Sequence, residues 1–373
     1  MQTTESEFAI VGGGVVGLSV AYGLLCRGKR VTVFDEGDNA IRASRGNFGL
    51  VWVQGKGAAN PPYARWTRRS AKAWPQFARQ LADESGQSLN LQQRGGYSIH
   101  LSEQSLADNV DSYEQLREAL GGDYPFEVLG HNAIKKEEPC IGPSVAGAIL
   151  HHEDGHVNPL VLLRTLAQVV RERGAQVITN NTVQHIQPEA GGFAIQATDG
   201  VSYRAHKVVI CAGLGAKALA PMLGFDAPVY AQRGQVLITE KMPPMINRPT
   251  GEIRQVDEGG IQIGASAELA DLDDSETIEV TAKLAHNAIQ IYPALATASL
   301  VRSWAALRIM TPDGYPIYQH SNTCPGAFYV TCHSGITLAA AHALILPEWL
   351  CSEGDTAATI PLLSAFSEAR FHV

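Results

Sequence analysis

The sequence predicts an α/β protein, α+β when the whole chain is considered: a Rossmann-like lobe interleaved with a second lobe built on a mixed, largely antiparallel sheet. Three observations lead there. A strand, a glycine turn, a helix and a second strand follow one another over residues 8–35. The 373 residues exceed one ordinary core at about 150 residues per domain. Beyond residue 175, short apolar runs alternate with Asn-Asn, Gly-Gly and Asp-Gly turns, the punctuation of antiparallel strands.

In chain order, the apolar run 8–11 reads as a buried parallel strand, the GGGVVG turn at 12–17 opens a helix through Arg27, and 31–34 form the next strand, ending at Asp35. Trp66, Ala73, Phe77 and Leu81 recur at helical spacing over 63–84, with Gly86 as the stop. Residues 89–101 alternate as a strand does, with Gly95 and Gly96 as a bulge or turn. Asn158 is placed to cap a helix that starts at Pro159, carries Leu160, Leu163, Leu166, Val169 and Val170 on its apolar face, and stops at Gly174. Strands are expected at 176–179, 183–186, 193–198, 207–211, 229–239, 261–266 and 328–331. Ser275 is expected to cap a helix toward Tyr292, and the acidic run 271–279 reads as its solvated approach and first turn rather than a metal site. An apolar helix over 336–350, interrupted at Pro347, closes the chain.

Composition excludes several classes. Hydrophobic residues at 45% build a large core, and charged residues at 18% fall below the roughly 25% of an average soluble chain. Lys+Arg 29 against Asp+Glu 37 gives a net charge of −8, so no broad basic surface exists for nucleic acid. Cys26, Cys140, Cys211, Cys324, Cys332 and Cys351 form no CxxC pair, which argues against a disulfide framework or an iron–sulfur or zinc site and for a reduced, cytoplasmic protein. Residues 8–26 are uncharged and long enough to raise a membrane span, but glycines at 12, 13, 14 and 17 suit a strand and turn, so no transmembrane segment is expected. Residues 1–7 lack the basic start of a signal peptide.

GxGxxG at Gly12, Gly14 and Gly17 lets the backbone approach a pyrophosphate seated on a helix N-terminus, and Asp35 stands about 20 residues on, where it can accept a ribose hydroxyl. The unit predicts a dinucleotide site and leaves NAD and FAD open.

The remaining motifs discriminate. SRGNFG at 44–49, GHVNP at 155–159, VVICAG at 208–213, RGQ at 233–235, RIMTPDGYP at 308–316 and CHSGI at 332–336 follow GGGVVG in order. Together they resemble the D-amino acid oxidase family of FAD enzymes over residues 7–350. The resemblance implies non-covalent FAD, and Ala306, six residues before Pro312 where monomeric sarcosine oxidases carry a cysteine, agrees with that. It implies an FAD-binding lobe from 1–86, 141–218 and 308–373, and a substrate lobe from 87–140 and 219–307. Gly12, Gly14, Val15, Val16, Gly17, Asp35, Glu36 and Ser44 would hold the ADP half. Asn47, Phe48, Gly49 and Leu50 would lie beside the flavin ring, Val183 would meet the adenine, and Ala212 and Gly213 would approach the cofactor again. Gly335, Ile336 and Thr337 would open a helix whose positive end faces the flavin pyrimidine.

By the same resemblance Arg308 forks onto a substrate carboxylate beside the cofactor; an ion pair with Asp313 is its structural alternative. Trp304 matches a family tryptophan of the pocket wall or core. His333 falls beside the flavin, Trp52 and Gln54 follow the flavin loop and face either substrate or core, and Glu252 stands where glycine oxidases carry a pocket tyrosine, able to read a cationic substrate end. The stretch 44–57 is most similar to catalytic β subunits of bacterial heteromeric opine oxidases and their D-hydroxyproline dehydrogenase relatives. That implies oxidation of a small-molecule secondary amino acid, with partner subunits carrying iron–sulfur centres and an FMN at an interface. D-hydroxyproline, sarcosine or glycine oxidation, an electron-transfer subunit inactive alone, and an NAD dehydrogenase are the alternatives.

Overall fold

The computed structural model describes residues 5–37, 43–264, 266–352 and 360–372. Its largest sheet has eight strands. Glu5–Val11 lies at the centre, parallel to Val31–Phe34 on one side and Ser202–Ile210 on the other. Gln176–Ile178 extends one edge, Ala327–Thr331 and the antiparallel Ile317–His320 the other. The hairpin Val183–Glu189 and Gly192–Ala197 adds to the outer half of Ser202–Ile210. The sheet is covered on both faces: Phe8, Ile10, Val31 and Val33 join one core cluster, Ala9, Val11, Phe34 and Val208 another. That is why its central strands read as continuous apolar runs.

The helices Val15–Leu25, Pro61–Ser85, Pro159–Glu172 and Gly335–Leu344 pack over the first of these clusters. Asn158 caps Pro159–Glu172 by accepting from the amides of Leu160 and Val161. Leu160 departs from expectation: it is exposed, because the buried stripe of this helix runs through Leu162, Leu166, Val169 and Val170.

A four-stranded antiparallel sheet forms the second layer, in the order Ile253–Gln255, Gly260–Gly264, Tyr230–Lys241, Leu300–Met310. One face packs with Ile278–Ile291 and the three-stranded sheet Gly96–His100, Gly147–His151, Glu127–Gly130 into a core holding Tyr97, Leu237, Ile253, Ile263 and Tyr292. The other face carries the site.

Three expectations are corrected. Within 89–101 only Gly96–His100 is strand, with Gln92 making one isolated bridge to His156. Ser275 caps nothing; its amide closes a turn onto Asp273, and the helix begins at Ile278 after Thr277. The C-terminal apolar run breaks at Ile345, and Pro347 belongs to the first turn of Leu346–Cys351, where a missing amide hydrogen costs nothing. Leu300–Met310 runs unbroken past 307/308, so Arg308 belongs to the antiparallel sheet. Among the described residues no helix is long and apolar enough to cross a membrane.

Candidate active site

A cavity of about 970 Å³ opens at the C-terminal ends of the central parallel strands. That is where an open α/β sheet binds a nucleotide. Gly12, Gly14, Val16, Asp35, Glu36, Ser44, Val183, Ala212 and Gly213 all line it. The glycine turn has no room for side chains: a Cβ on Gly12 would meet the Cys211 carbonyl oxygen at 2.4 Å, and one on Gly17 the Gly12 carbonyl oxygen at 1.9 Å. Asp35 accepts from Gly13 N and Gly37 N, both at 2.9 Å, which fixes the turn and leaves lone pairs for a ribose hydroxyl. Ser44 Oγ accepts from Val15 N at 3.0 Å, at the first turn of the helix that follows.

Gly335, whose added Cβ would lie 3.0 Å from Val15 Cγ1, starts a second helix against the start of the first. Two helix N-termini therefore converge at one end of the cavity, a setting that favours anionic groups. The size of the cavity, the bare glycine turn and Asp35 together fit the ADP half of a dinucleotide.

Val15, Gly17, Asn47, Phe48, Gly49, Leu50, Gly335, Ile336 and Thr337 lie outside the cavity wall. Asn47 Oδ1 accepts from Gly49 N at 2.8 Å, which sets the left-handed turn at Gly49 (φ 92°). Thr337 Oγ1 accepts from Trp52 N at 3.1 Å, so its hydroxyl ties the segment after this loop to the C-terminal helix. Gln54 is buried, donating to Gly96 O, and Trp52 is half-buried with its indole against Gly96. Both serve packing at least as much as the site.

Phe48 abuts Gly264 on the outer face of the four-stranded sheet. Strand pairing puts Arg308, Trp304, Gly234, Val236, Gly264 and Glu252 on that same face. Arg308 lies over Gly234, where a Cβ would come within 2.7 Å of Nη2, and donates to Gln232 Oε1 at 3.1 Å. Burial lowers its pKa. The alternative partner Asp313 is occupied by Arg370, at 2.7 Å. Trp304 donates to Gly46 O at 3.2 Å, tying this sheet to the segment 44–50. Glu252 is exposed, with its pKa raised by burial of its carboxyl side.

His333 has surface open to water but protein on most sides; that partial burial, then the charges of Lys56 and Arg308, push its pKa down. The imidazole is neutral near pH 7. Lys56 lies within the stretch 44–57, but the sequence assigns it no role there. Its ammonium donates to Ser334 Oγ, which also accepts from Tyr63 OH at 2.9 Å. Burial brings Lys56 down to about 8, against the pull of Cys332 and Asp154. A lysine between two glycines carries no local signal for such a location. Arg254, two residues after Glu252 and buried, is absent from every motif.

Comparison with known proteins accords with this geometry. A model of the DAO family, described as FAD dependent oxidoreductase, matches residues 7–349. The chain is 42% identical over 372 residues to a subunit of opine oxidase from Agrobacterium tumefaciens (strain Ach5), covering 99% of this chain and 98% of that protein. It is also 42% identical to the corresponding opine oxidase subunit of Rhizobium meliloti, covering 98% of each. The crystal structure of glycine oxidase from Geobacillus kaustophilus superposes with a TM-score of 0.88 at 25% identity, covering 96% of this chain and 98% of that one.

Proposed function

We propose, for a chain that belongs to the DAO family of FAD dependent oxidoreductases, that it oxidises the C–N bond of a secondary amino acid of the opine type, octopine or nopaline being the test substrates. The observation that carries the reading is Arg308: a partly buried guanidinium, held by one neutral amide and by no carboxylate among the described residues, on the sheet face beside the flavin loop. Such a fork binds a carboxylate in two parallel hydrogen bonds. The names of the 42% identical relatives support the opine class.

FAD, when bound, supplies the acceptor for the substrate's hydride. The chain's own residues bind and orient. Arg308 fixes the carboxylate and Gln232 holds the guanidinium in place. Gly234 and Gly264 keep the floor between Arg308 and Glu252 free of side chains, and Glu252 stands ready for a cationic substrate end such as a guanidinium. Neutral His333 adds no charge that would repel Arg308. No protein base is required when the amine binds uncharged. The resulting imine is hydrolysed by water to an amino acid and a 2-oxo acid.

These relatives are each named as one subunit of an opine oxidase, which supports a heteromeric complex; FMN at the interface and iron–sulfur centres in the partner subunits are part of the same proposal. Six unpaired cysteines support a reducing, cytoplasmic setting. Oxidation of glycine or of D-hydroxyproline is the second reading, favoured by the fold shared with glycine oxidase.

Anaerobic addition of octopine, nopaline and D-hydroxyproline to the purified yellow protein tests this. Bleaching of the flavin by an opine is expected; bleaching by D-hydroxyproline or glycine alone selects the second reading. Arg308→Leu should raise the half-saturating opine concentration at least 100-fold, about 2.7 kcal/mol, with flavin content unchanged, and equal reduction in both proteins refutes its role. Glu252→Gln should weaken octopine roughly tenfold and leave D-hydroxyproline unaffected.

A further inference from the structure

Arg254 is a buried cation with no carboxylate partner among the described residues. It is 3% exposed; Nε donates to Gln262 Oε1 at 2.8 Å and Nη1 to His156 Nδ1 at 3.0 Å. Both partners are neutral. Because a guanidinium can only donate, His156 accepts through Nδ1, and burial together with the charge of Arg254 pushes its pKa to about 3. Asp257 and Glu258 act on Arg254 only from a distance, and burial lowers it to about 10, which leaves it charged at neutral pH. Sequestering a charge among neutral groups is costly unless an anion joins it.

The third nitrogen, Nη2, has no acceptor among the described residues. It lies 2.9 Å from where a Cβ of Gly49 would stand, so only a glycine at 49 lets the guanidinium come this close to the loop. The Arg254 Cζ sits over the Phe48 ring, 5.7 Å from its centroid. What remains unpaired is the Nη2 corner of the guanidinium, next to Phe48 and Gly49.

Register relates this edge to Arg308. Gln232 is opposite Arg308, Val236 opposite Gly264, and Gln262 opposite both Ile238 and Arg254. All share the outer face. Between the two arginines the floor is Gly234, Val236 and Gly264, a trough with a cation at each end. Rises of ~3.4 Å per residue and ~4.8 Å per strand put the two Cα atoms about 25 Å apart; because the Arg308 head lies over Gly234, it stands about 17 Å from the Arg254 Cα, a gap that the Arg254 side chain shortens further.

We infer that Arg254 is a second carboxylate anchor, so that the substrate is a secondary amine with two carboxylates, one on Arg308 and the other on Arg254. The inference rests on the reading of Arg308 given above and narrows it: an N-carboxyalkyl amino acid satisfies both ends, whereas glycine, sarcosine or D-hydroxyproline leaves Arg254 unpaired.

Its test needs no turnover. The FAD-loaded protein is titrated with glutarate and with butyrate, a diacid and a monoacid that cannot be oxidised, while the visible flavin spectrum is followed. Wild type should bind glutarate at least tenfold more tightly than butyrate. Arg254→Gln should lose that preference while its butyrate Kd stays within twofold and its flavin content is full. Arg254→Lys, which keeps the charge and loses the fork, decides the matter if the glutamine variant does not fold: its preference should fall at least threefold. No preference in wild type, or an undiminished one in the variants, overturns the inference. Failure of every opine to bleach the flavin, with the diacid preference intact and dependent on Arg254, sinks the opine reading and leaves the anchor standing; bleaching with no such dependence does the reverse.

Discussion

Gly17→Ala asks how much of the nucleotide turn is fixed by contact between backbone atoms. The added Cβ would stand 1.9 Å from the Gly12 carbonyl oxygen and 3.2 Å from Ile10 Cγ2. The helix start would have to retreat from the strand by more than 1 Å. Neither side yields easily, since Gly12 is tied through its amide to Phe34 O and Ile10 lies at the centre of the sheet. Overpacking of this kind costs about 3 kcal/mol, while alanine in place of a helical glycine returns about 1 kcal/mol. The net, about 2 kcal/mol, corresponds in a chain of 373 residues to a fall in Tm of roughly 2–3 °C. Thermal unfolding by circular dichroism reads that loss, and flavin absorbance per polypeptide reads the damage to the pyrophosphate seat. Gly28→Ala is the control: nothing stands within 4 Å of its Cβ, and only its φ of +72° is strained, worth about 1 kcal/mol with flavin content unchanged. A Gly17→Ala protein with wild-type Tm and full flavin refutes the steric argument.

Asn158→Ala removes the acceptor for two helix-terminal amides and should cost about 1 kcal/mol in urea unfolding; an unchanged midpoint contradicts the cap. Acid should destabilise the protein through three histidines, His151, His156 and His342, which burial holds at about 4, 3 and 3. Below the ordinary value of 6.5 the unfolded chain takes up protons at these rings that the native state refuses, so their contribution to stability declines as pH drops from 6.5, by up to about 1.4 kcal/mol per unit for each histidine, against the opposite pull of Asp154 and Glu138, whose raised pKa values stabilise the fold over the same range. His342→Gln should lower the slope between pH 6 and 5 by about 1.2 kcal/mol per pH unit, read from urea midpoints; an identical slope argues against a buried neutral ring at 342.

The nucleotide half was legible because its signals are local. Glycines at fixed offsets, an apolar strand before them and an acid after the second strand report one backbone geometry, and Asn158 with Pro159 reports a helix start in two residues. Glu252 and Arg308 could be named from their motif context, but that they share a face with Gly234 and Gly264 between them emerges only from the pairing of strands far apart in sequence. Arg254 was invisible for the same reason, since an arginine in a short polar strand reads as surface until Gln262, His156 and Phe48 close around it. Leu160 failed in the opposite way: its spacing suits a buried stripe, yet the docking angle of the helix turns it to solvent. Ser275 was a good cap residue next to a better local partner, Asp273.

The central sheet joins the two ends of the chain: Glu5–Val11 pairs with Ser202–Ile210, which pairs with Ala327–Thr331, and the helix starting at Gly335 seals the glycine turn. During synthesis the N-terminal glycine loop therefore waits for more than 300 residues before its last wall leaves the ribosome. Loop-closure entropy has to be overcome across nearly the whole polypeptide, so cofactor capture is a late event of biogenesis. Until then the bare parallel strands are exposed to aggregation and are natural clients for chaperones. Truncation from the C-terminus should for that reason abolish flavin loading long before it reaches any residue of the ADP cradle.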